Sequence, residues 1–112
     1  MTETPTITMV RDFVTANDFE KKHTPYMTVT PQGDKHMVTV EVGHEVPHPN
    51  GTDHYITSIE LFAGEASIVR FDLSPVVTWP TVSVLIALPA GTVIRAVEHC
   101  NLHGYWSYEK AL

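Results

Sequence analysis

Of the 112 residues 43% are hydrophobic, and thirteen Asp plus Glu against seven Lys plus Arg give a net charge of −6 with neutral histidines. This length suits one domain over residues 1–112, and the acidic balance argues against a nucleic-acid partner or an anionic membrane surface. A single cysteine cannot form an internal disulfide, and residues 1–8 lack the basic start and apolar core of a signal peptide, so we expect a cytoplasmic protein.

The only helical character lies early in the chain, at residues 12–22. Their few apolar side chains do not form an amphipathic stripe, so the pattern predicts a short helical turn or a loop. The loop that follows reads Lys21-Lys22-His23-Thr24-Pro25, in which proline stiffens the backbone next to a histidine that follows two lysines. His23 is therefore the first candidate functional residue.

From Tyr26 onward the pattern is typical of β-structure. Residues 26–30 and 36–42 are rich in β-branched side chains in near alternation and flank a turn, which predicts a hairpin. Prolines and a glycine interrupt the pattern at residues 43–53, which we expect to form a loop. Four more strands are predicted at residues 54–62, 67–73, 81–88 and 92–99.

The number of short strands predicts the fold class. Six or seven strands with a turn every 8 to 12 residues or so predict an all-β fold, an antiparallel β-sandwich. The weak helical signal argues against an α/β fold with crossover helices. The longest apolar stretch, residues 82–89, is far shorter than the ~20 residues that cross a bilayer, so we expect a buried strand there and no membrane span.

Three segments carry side chains that bind transition metals, and the first is the lysine-histidine loop. In the last segment, Cys100 and His103 flank a two-residue gap at the end of a predicted strand, and Gly104 allows a tight turn with positive φ. In the middle segment, His48 and His54 lie six residues apart in the predicted loop. One thiolate among several imidazoles suits zinc, copper or iron, and it fits a redox-active metal better than a structural zinc.

The remaining three histidines are expected to lie away from such a site. His36 opens a predicted strand, and His44 precedes the loop without a partner motif. Strand alternation points His99 to the opposite face of the sheet from the cysteine that follows it. We therefore do not count these three residues among the candidate ligands.

Three other functions are compatible with the same residues. A Cys100 nucleophile with His99 or His103 as its base lacks the oriented third group that thiol enzymes use. A blue-copper-like electron-transfer protein needs two histidines, one cysteine and normally a later methionine, but no methionine follows His103. In a metal-free β-sandwich interaction module, the histidines would be incidental.

Three motifs, taken in their order along the chain, carry a family resemblance. They are Lys22-His23-x-Pro25, His48-Pro49 followed by His54-Tyr55-Ile56, and Cys100-Asn101-x-His103-Gly104. Over most of its length the chain resembles the one-iron superoxide reductases, also called neelaredoxins, and it is similar to the iron-binding domain of desulfoferrodoxin. The resemblance implies an immunoglobulin-like antiparallel β-sandwich of about seven strands.

The resemblance also implies a mononuclear non-haem iron that cycles between Fe2+ and Fe3+. Four imidazoles are the implied equatorial ligands and one thiolate the axial ligand, from His23, His48, His54, His103 and Cys100. The implied reaction is the one-electron reduction of superoxide, with two protons, to hydrogen peroxide, and no dioxygen is released. A thiolate opposite the open, solvent-facing position donates electron density, as it does in thiolate-ligated haem.

The residues before the first histidine match the family in part. Lys22 matches the family lysine, whose implied role is to attract superoxide and to assist protonation through ordered water; a local cation suits an anionic substrate of an acidic protein. The family glutamate lies two positions before the histidine, whereas here Lys21 has that position and Glu20 lies one residue further away. The resemblance therefore implies that Glu20 reaches the oxidised iron only through movement of this loop.

The implied partners follow from the single cysteine. Desulfoferrodoxin carries a second iron centre with four cysteines, which this chain cannot build. The resemblance then implies a separate, rubredoxin-like electron donor and a homo-oligomer, either a tetramer or a dimer. We also predict that the backbone N–H groups of Leu102 and His103 hydrogen-bond the Cys100 sulfur and tune its electron donation.

Overall fold

Alternating β-branched and aromatic side chains form strands over most of residues 5–112, the part of the chain that the computed structural model describes. The signal-peptide prediction concerns residues 1–8 and lies partly outside the described residues. The elements in chain order are β1 (Ile7–Met9), α1 (Asp18–His23), β2 (Pro25–Gln32), β3 (Lys35–Val42), β4 (Ile56–Ala63), β5 (Ala66–Asp72), β6 (Thr81–Ile86), β7 (Val93–Cys100) and β8 (Gly104–Ala111).

The strands form two sheets, one with the order β1-β8-β7-β4-β5 and one with the order β2-β3-β6. Neighbouring strands are antiparallel, except that β1 lies parallel to β8. The predicted all-β sandwich is confirmed, with eight strands in the described chain where about seven were expected. The sequence analysis missed β1, which has only three residues, and β8, whose Tyr105, Trp106 and Tyr108 are typical of a strand.

The core lies between the sheets and extends to one end of β7. Met27, Val38, Ile59 and Leu61 are fully buried there. Cys100 belongs to the same buried cluster, because it continues the inward-facing alternation of β7. The packing of the sandwich therefore fixes the position of the thiol.

Residues 82–89 were predicted to form a buried strand. The strand is present, but the prediction that it is buried is wrong. The run forms β6, an edge strand that pairs only with β3. Thr81, Ser83 and Leu85 are exposed, whereas Val82 and Val84 are partly buried. An edge strand of a sandwich presents only alternate side chains to the core, so an almost continuous apolar run does not bury the whole strand.

The helical turn predicted near residues 12–22 is a short helix, α1, and His23 is its last residue rather than part of a loop. Asn17 caps α1: its side chain accepts a hydrogen bond from the Glu20 N–H at 2.8 Å, and Glu20 Oε1 accepts one from the Asn17 N–H at 3.1 Å. Pro25 disfavours helical geometry at Thr24, which is extended and ends the helix. Among residues 5–112, no helix is long and apolar enough to cross a membrane.

Candidate metal centre

The five predicted ligand residues come from three places and meet at one end of the sandwich. His23 ends α1, His48 and His54 lie in the loop between β3 and β4, and Cys100 and His103 bracket the turn between β7 and β8. These segments are up to 80 residues apart in the chain, as for the 3.2 Å contact between His23 Nε2 and His103 Nδ1. Their convergence depends on the packing of the two sheets and α1.

The four imidazoles are arranged as a closed ring of neighbours. The ring centroids of His23 and His48 are 4.9 Å apart, those of His48 and His54 4.7 Å, those of His54 and His103 5.2 Å, and those of His103 and His23 4.9 Å. Each neighbouring pair is steeply inclined, with interplanar angles between 68° and 84°. Each imidazole therefore meets its two neighbours edge-on and does not stack on them.

Cys100 lies on the buried side of this ring of histidines. Its Sγ is 3.5 Å from His48 Nε2 and 3.8 Å from His103 Nδ1, and its side chain is fully buried. His103 is exposed and His54 is partly exposed, so the opposite side of the ring faces solvent. The sulfur is therefore at the buried side of the cluster, and His54 and His103 are at its solvent-exposed side.

Four of the five residues form the tightest group. His23, His54, Cys100 and His103 each place one ligand atom within 4.8 Å of the others. His48 falls outside that group, yet its Nε2 is the nitrogen nearest to the sulfur and its ring touches two other imidazoles. Through these contacts His48 completes the ring of four imidazoles around the sulfur.

Backbone carbonyls select the nitrogen that two of the histidines present. His23 Nδ1 lies 2.8 Å from the Phe19 carbonyl oxygen, and His48 Nδ1 lies 2.7 Å from the Pro49 carbonyl oxygen. A carbonyl only accepts hydrogen bonds, so each Nδ1 carries the proton and each Nε2 presents a lone pair. This is how proteins orient metal-binding imidazoles.

His54 supplies the clearest sign that a group belongs in this centre. Its Nε2 is buried and has no hydrogen-bond partner within the described part of the chain. A buried polar atom without a partner is costly, and a cation at the centre of the ring would satisfy it. Four nitrogens and one sulfur fit a transition metal such as iron.

The electrostatics keep the imidazoles neutral. Burial lowers the pKa of His23 and of His54, and it lowers the pKa of His48 to about 4. Neighbouring histidines and Lys22 lower these pKa values further, whereas the carbonyl contacts of His23 and His48 oppose the shift. Near pH 7 the imidazoles are therefore ready to bind a cation without losing a proton.

The thiol has the opposite tendency. Burial raises the pKa of Cys100, and the nearby Glu98 raises it slightly further. The backbone N–H groups of Leu102 and His103 hydrogen-bond the sulfur and lower its pKa in part, as the sequence analysis predicted. Without a cation the thiol stays protonated at neutral pH, so the thiolate forms when a metal binds.

The two lysines before His23 have different surroundings. Lys21 Nζ is 3.2 Å from Glu45 Oε2 and lies 5.4 Å from the centre of the Phe13 ring. Lys22 forms no ion pair with any residue in the range 5–112, and its charge lowers the pKa values of three imidazoles in the ring. Lys22 is thus the lysine whose charge acts at the centre.

Glu20 is engaged elsewhere in this conformation. Its carboxylate closes the capping box with Asn17 at the start of α1, and it is not among the residues of the tightest ligand group. A carboxylate in a capping box is held by the helix N-terminus. Movement of Glu20 towards the histidines would first break this cap.

The three histidines that we did not count as ligands lie in other surroundings. His44 Nδ1 is 2.6 Å from Glu41 Oε1, and its ring stacks on Tyr26 at 4.1 Å between centroids. His99 Nδ1 is 2.7 Å from Thr57 Oγ1. His36 lies in β3, with its Nδ1 buried and without a partner in the described chain.

Sequence reasoning missed the residues that support the ligands. Asn101 accepts a hydrogen bond from the Tyr55 N–H at 2.9 Å and donates one to the Asp53 carbonyl at 2.9 Å, which joins the β7–β8 turn to the loop that carries His54. Trp106 donates its indole N–H to the His103 carbonyl at 3.1 Å. The position of Asn101 between Cys100 and His103 is the feature of the sequence that could have indicated this supporting role.

Aromatic side chains pack around His23 and His103. The Trp106 ring stacks on His23 with 5.0 Å between centroids, and Phe19 contacts both histidines at 4.5 and 5.0 Å. Phe19 is 45% exposed, so it forms part of the solvent-facing rim. These contacts restrict the imidazole rotamers and cover one side of the centre.

Glu98 is a second residue that sequence reasoning did not single out. It is fully buried two residues before Cys100, and neither carboxyl oxygen has a hydrogen-bond partner within residues 5–112. Burial raises its pKa well above the ordinary value. Strand alternation places it on the same face of β7 as Cys100, and that was the available signal.

The fold and the site together define a class: an all-β sandwich protein with a cluster of imidazoles and one thiol at its end that suits a transition metal. The desulfoferrodoxin family model matches residues 15–109. The chain therefore belongs to the desulfoferrodoxin family, and its resemblance to the one-iron superoxide reductases is confirmed.

Individual relatives agree with this placement. A protein of Methanocaldococcus jannaschii is 35% identical over 102 residues, which cover 85% of each chain. The superoxide reductase of Pyrococcus horikoshii is 32% identical over 114 residues, covering 93% of this chain and 99% of its own. The structure of the superoxide reductase from Nanoarchaeum equitans superimposes with a TM-score of 0.79 at 28% identity, covering 96% of this chain and all of its own.

Proposed function

We propose that this protein is a superoxide reductase, which reduces superoxide to hydrogen peroxide at one non-haem iron. The observation that carries the proposal is the meeting of one buried thiol with four imidazoles at a solvent-facing end of the sandwich. Each superoxide takes up one electron and two protons, and no dioxygen is released. The family of the chain and the named superoxide reductases among its relatives support this activity.

We assign five residues to hold the iron: His23, His48, His54, Cys100 and His103. Bound there, iron supplies one-electron chemistry between Fe2+ and Fe3+. The chain's own contribution is preorganisation, since Phe19 and Pro49 carbonyls select the imidazole nitrogens and two backbone N–H groups hold the sulfur. Burial of the sulfur excludes water from the side opposite the substrate.

Lys22 is assigned to the substrate side. Its ammonium group attracts superoxide to a protein whose net charge of −6 repels anions, and it holds the water that delivers protons. Glu20 is a candidate carboxylate for the oxidised iron, but only in a state in which its hydrogen bond to the Asn17 N–H is broken. We therefore expect Lys22 to contribute to the rate and Glu20 to contribute to the oxidised resting state.

The remaining assignments concern partners, location and extent. A separate rubredoxin-like donor supplies the electrons, because one cysteine cannot build a second cluster. Copies associate as a tetramer or a dimer, which the exposed Val77 and Trp79, 83% and 62% accessible, favour. Residues 1–112 act as one domain in the cytoplasm, where a single thiol is kept reduced.

Metal content and optical spectra of the aerobic and the reduced protein test the function. We expect one iron per chain, a visible thiolate-to-Fe(III) band after oxidation, and consumption of superoxide without release of dioxygen. Copper in place of iron would favour the blue-copper-like alternative, and a protein without metal would favour the interaction module. Either result would exclude the reductase.

The Cys100→Ser variant tests the axial ligand directly. We expect the visible band of the oxidised protein to disappear, because an alcohol does not replace the thiolate donor. His99→Gln is the matched control, since it changes the residue next to the cysteine but not a proposed ligand. An unchanged spectrum in the serine variant would remove Cys100 from the ligand set.

A further inference from the structure

The two consecutive lysines at the end of α1 differ in whether their charge is compensated. Lys21 pairs with Glu45 at 3.2 Å, and its side chain is only 19% exposed. Lys22 has no ion-pair partner within the described chain. Because the two residues are adjacent, sequence proximity to the centre does not explain the difference.

The backbone holds Glu45 in an unusual conformation. Its φ is +66°, a region that residues other than glycine rarely adopt. The turn around it is closed by a hydrogen bond from the Val46 N–H to the His44 carbonyl at 2.8 Å. This turn begins the loop that carries His48 and His54, so the carboxylate of Glu45 is attached to the same loop as two proposed ligands.

The two lysines in the last turn of α1 have different neighbours. Lys22 directly precedes His23, one of the proposed ligands, whereas the ammonium group of Lys21 lies against Glu45 and the Phe13 ring. An ammonium group next to a carboxylate presents little net charge to a distant anion. The last turn of α1, which ends at His23, therefore carries two lysines of which only Lys22 lacks an ion-pair partner within residues 5–112.

We propose that Glu45 sets the charge that superoxide meets, by neutralising Lys21 and leaving Lys22 as the uncompensated lysine of the two that precede His23. This inference rests on the proposed function, since it assumes that superoxide is the substrate. Glu45 acts through Lys21 and is a positioning residue, with no contact to the reacting atoms. The positive charge before His23 is thus smaller than the two lysines alone would supply, because Glu45 compensates one of them.

The rate of superoxide consumption by the iron-loaded protein, followed over a range of ionic strengths, tests the proposal. Glu45→Gln releases the charge of Lys21, and we expect a rate roughly twofold higher at low salt, the effect of one charge about 10 Å from the anion in water. Lys21→Met leaves the carboxylate alone, and we expect a roughly twofold lower rate for the same reason. Both differences should vanish at high salt.

Two double variants separate charge from structure. Lys21→Met with Glu45→Gln removes both charges, and the exchange Lys21→Glu with Glu45→Lys reverses the pair. We expect both to show the salt dependence of the parent, because the net charge of the pair is unchanged. A merely structural role of the ion pair would instead give the charge-free double variant the defect of Lys21→Met, and only the exchanged pair would behave as the parent.

Acetylation of the metal-free protein gives a readout that does not depend on iron. With a limiting amine-reactive reagent and mass spectrometry, we expect Lys21 to react more slowly than Lys22 in the parent. In Glu45→Gln, we expect faster labelling of Lys21 and unchanged labelling of Lys22. Equal labelling of Lys21 in parent and variant would overturn the pairing.

The outcomes distinguish this inference from the proposed function. If Lys22→Met slows the reaction while Glu45→Gln has the rate and salt dependence of the parent, the inference is wrong and the reductase stands. If the iron-loaded parent does not consume superoxide, the proposed function and this inference both fail. Opposite shifts in Glu45→Gln and Lys21→Met that cancel in the double variants support the inference.

Discussion

At the scale of single residues, protonation divides the centre into two parts. The imidazoles of His23, His48 and His54 are neutral because burial and neighbouring positive charge lower their pKa values, whereas burial raises the pKa of the thiol. Glu98, two residues from that thiol, is a buried carboxyl without a partner in the described chain. Two consequences follow, one for metal binding and one for stability.

Metal binding should release one proton, and that proton should come from Cys100. The thiol is protonated at neutral pH and binds as thiolate, while His23, His48 and His54 are already neutral and bind through a free lone pair. Affinity for Fe2+ should therefore rise about tenfold per pH unit from about pH 7 up to the pKa of the thiol. Anaerobic calorimetry in buffers of different ionisation enthalpy measures the proton count.

The Cys100→Ser variant is the control for the number of protons released on metal binding. Its affinity should be lower, and the dependence on pH in this range should disappear because serine is not ionised. Release of no proton by the parent, or an unchanged slope in the variant, would contradict the assignment of the thiolate.

Replacement of Glu98 by glutamine should stabilise the metal-free protein at neutral pH. Because burial raises the pKa of Glu98, the folded protein keeps a proton that the unfolded chain loses above about pH 4.5. The stability of the parent therefore falls as pH rises through this window, and Glu98→Gln should gain on the order of 2 kcal/mol at pH 7 and nothing near pH 4.

Urea unfolding at the two pH values measures this difference. Glu109→Gln, at an exposed position of β8, is the matched control and should leave the stability nearly unchanged at both. A gain that is equal at both pH values would show that ionisation of Glu98 is not its cause.

At the scale of elements, the ligands depend on the ends of regular structure rather than on its middle. His23 ends α1, Cys100 ends β7, and Asn101 joins the following turn to the β3–β4 loop. That loop begins at Gly43, which has a φ of +95° and lies against the backbone of His48. A substitution at Gly43 should therefore displace His48, one of the proposed ligands.

Gly43→Ala should disturb His48, whereas Gly33→Ala should not. Both glycines have positive φ, but an added Cβ at Gly43 would lie 2.7 Å from the His48 backbone nitrogen, and one at Gly33 would meet nothing within 4 Å. We expect Gly33→Ala to cost about 1 kcal/mol of stability through backbone strain alone.

Gly43→Ala should cost more stability and should also weaken metal binding. Thermal unfolding of the metal-free protein measures the first effect, and competition for Fe2+ with a chelator measures the second. Equal metal affinities in the two glycine variants would mean that the position of His48 does not depend on this close approach.

At the scale of the whole molecule, a metal bound by the five proposed ligands would join parts that the sheets alone do not connect. The ligands come from a helix end, a loop between the two sheets and a turn of the five-stranded sheet. The acidic surface repels anions overall, so the entry of superoxide depends on local charge. The folded protein alone holds the ligands together, and stability and metal binding are therefore linked.

Removal of iron should lower the thermal stability of the protein. With free metal at a hundred times its dissociation constant, binding adds about 2.7 kcal/mol, which corresponds to a shift on the order of 10 °C for a chain of this size. Scanning calorimetry with and without metal measures the shift.

Two histidine variants make that experiment specific. His54→Gln should lose most of the metal-induced shift, because it removes a proposed ligand. His99→Gln should keep the shift, since His99 bonds Thr57 and lies apart from the other imidazoles. Loss of the shift in both variants would point to a general effect of histidine replacement.

Local patterns were sufficient for the fold class and for the segments that meet at the centre. Alternating β-branched residues predicted six of the strands, and the spacing of Cys100 and His103 predicted a turn that brings both to one point. Periodicity did not predict β8, the edge position of β6, or the helical setting of His23. These features depend on which strand packs beside which, and a single segment carries no such information.

By itself, the sequence determined the types of ligand available, their order and the β-sandwich that carries them, because side-chain chemistry and two-residue periodicity are local properties. Only the tertiary structure decided which of the two lysines stays uncompensated and why Glu98 is buried without a partner among residues 5–112. Those outcomes depend on contacts between distant segments, such as Lys21 with Glu45 and His23 with His103. Long-range packing places charges and lone pairs, and the chemistry of the centre depends on that placement.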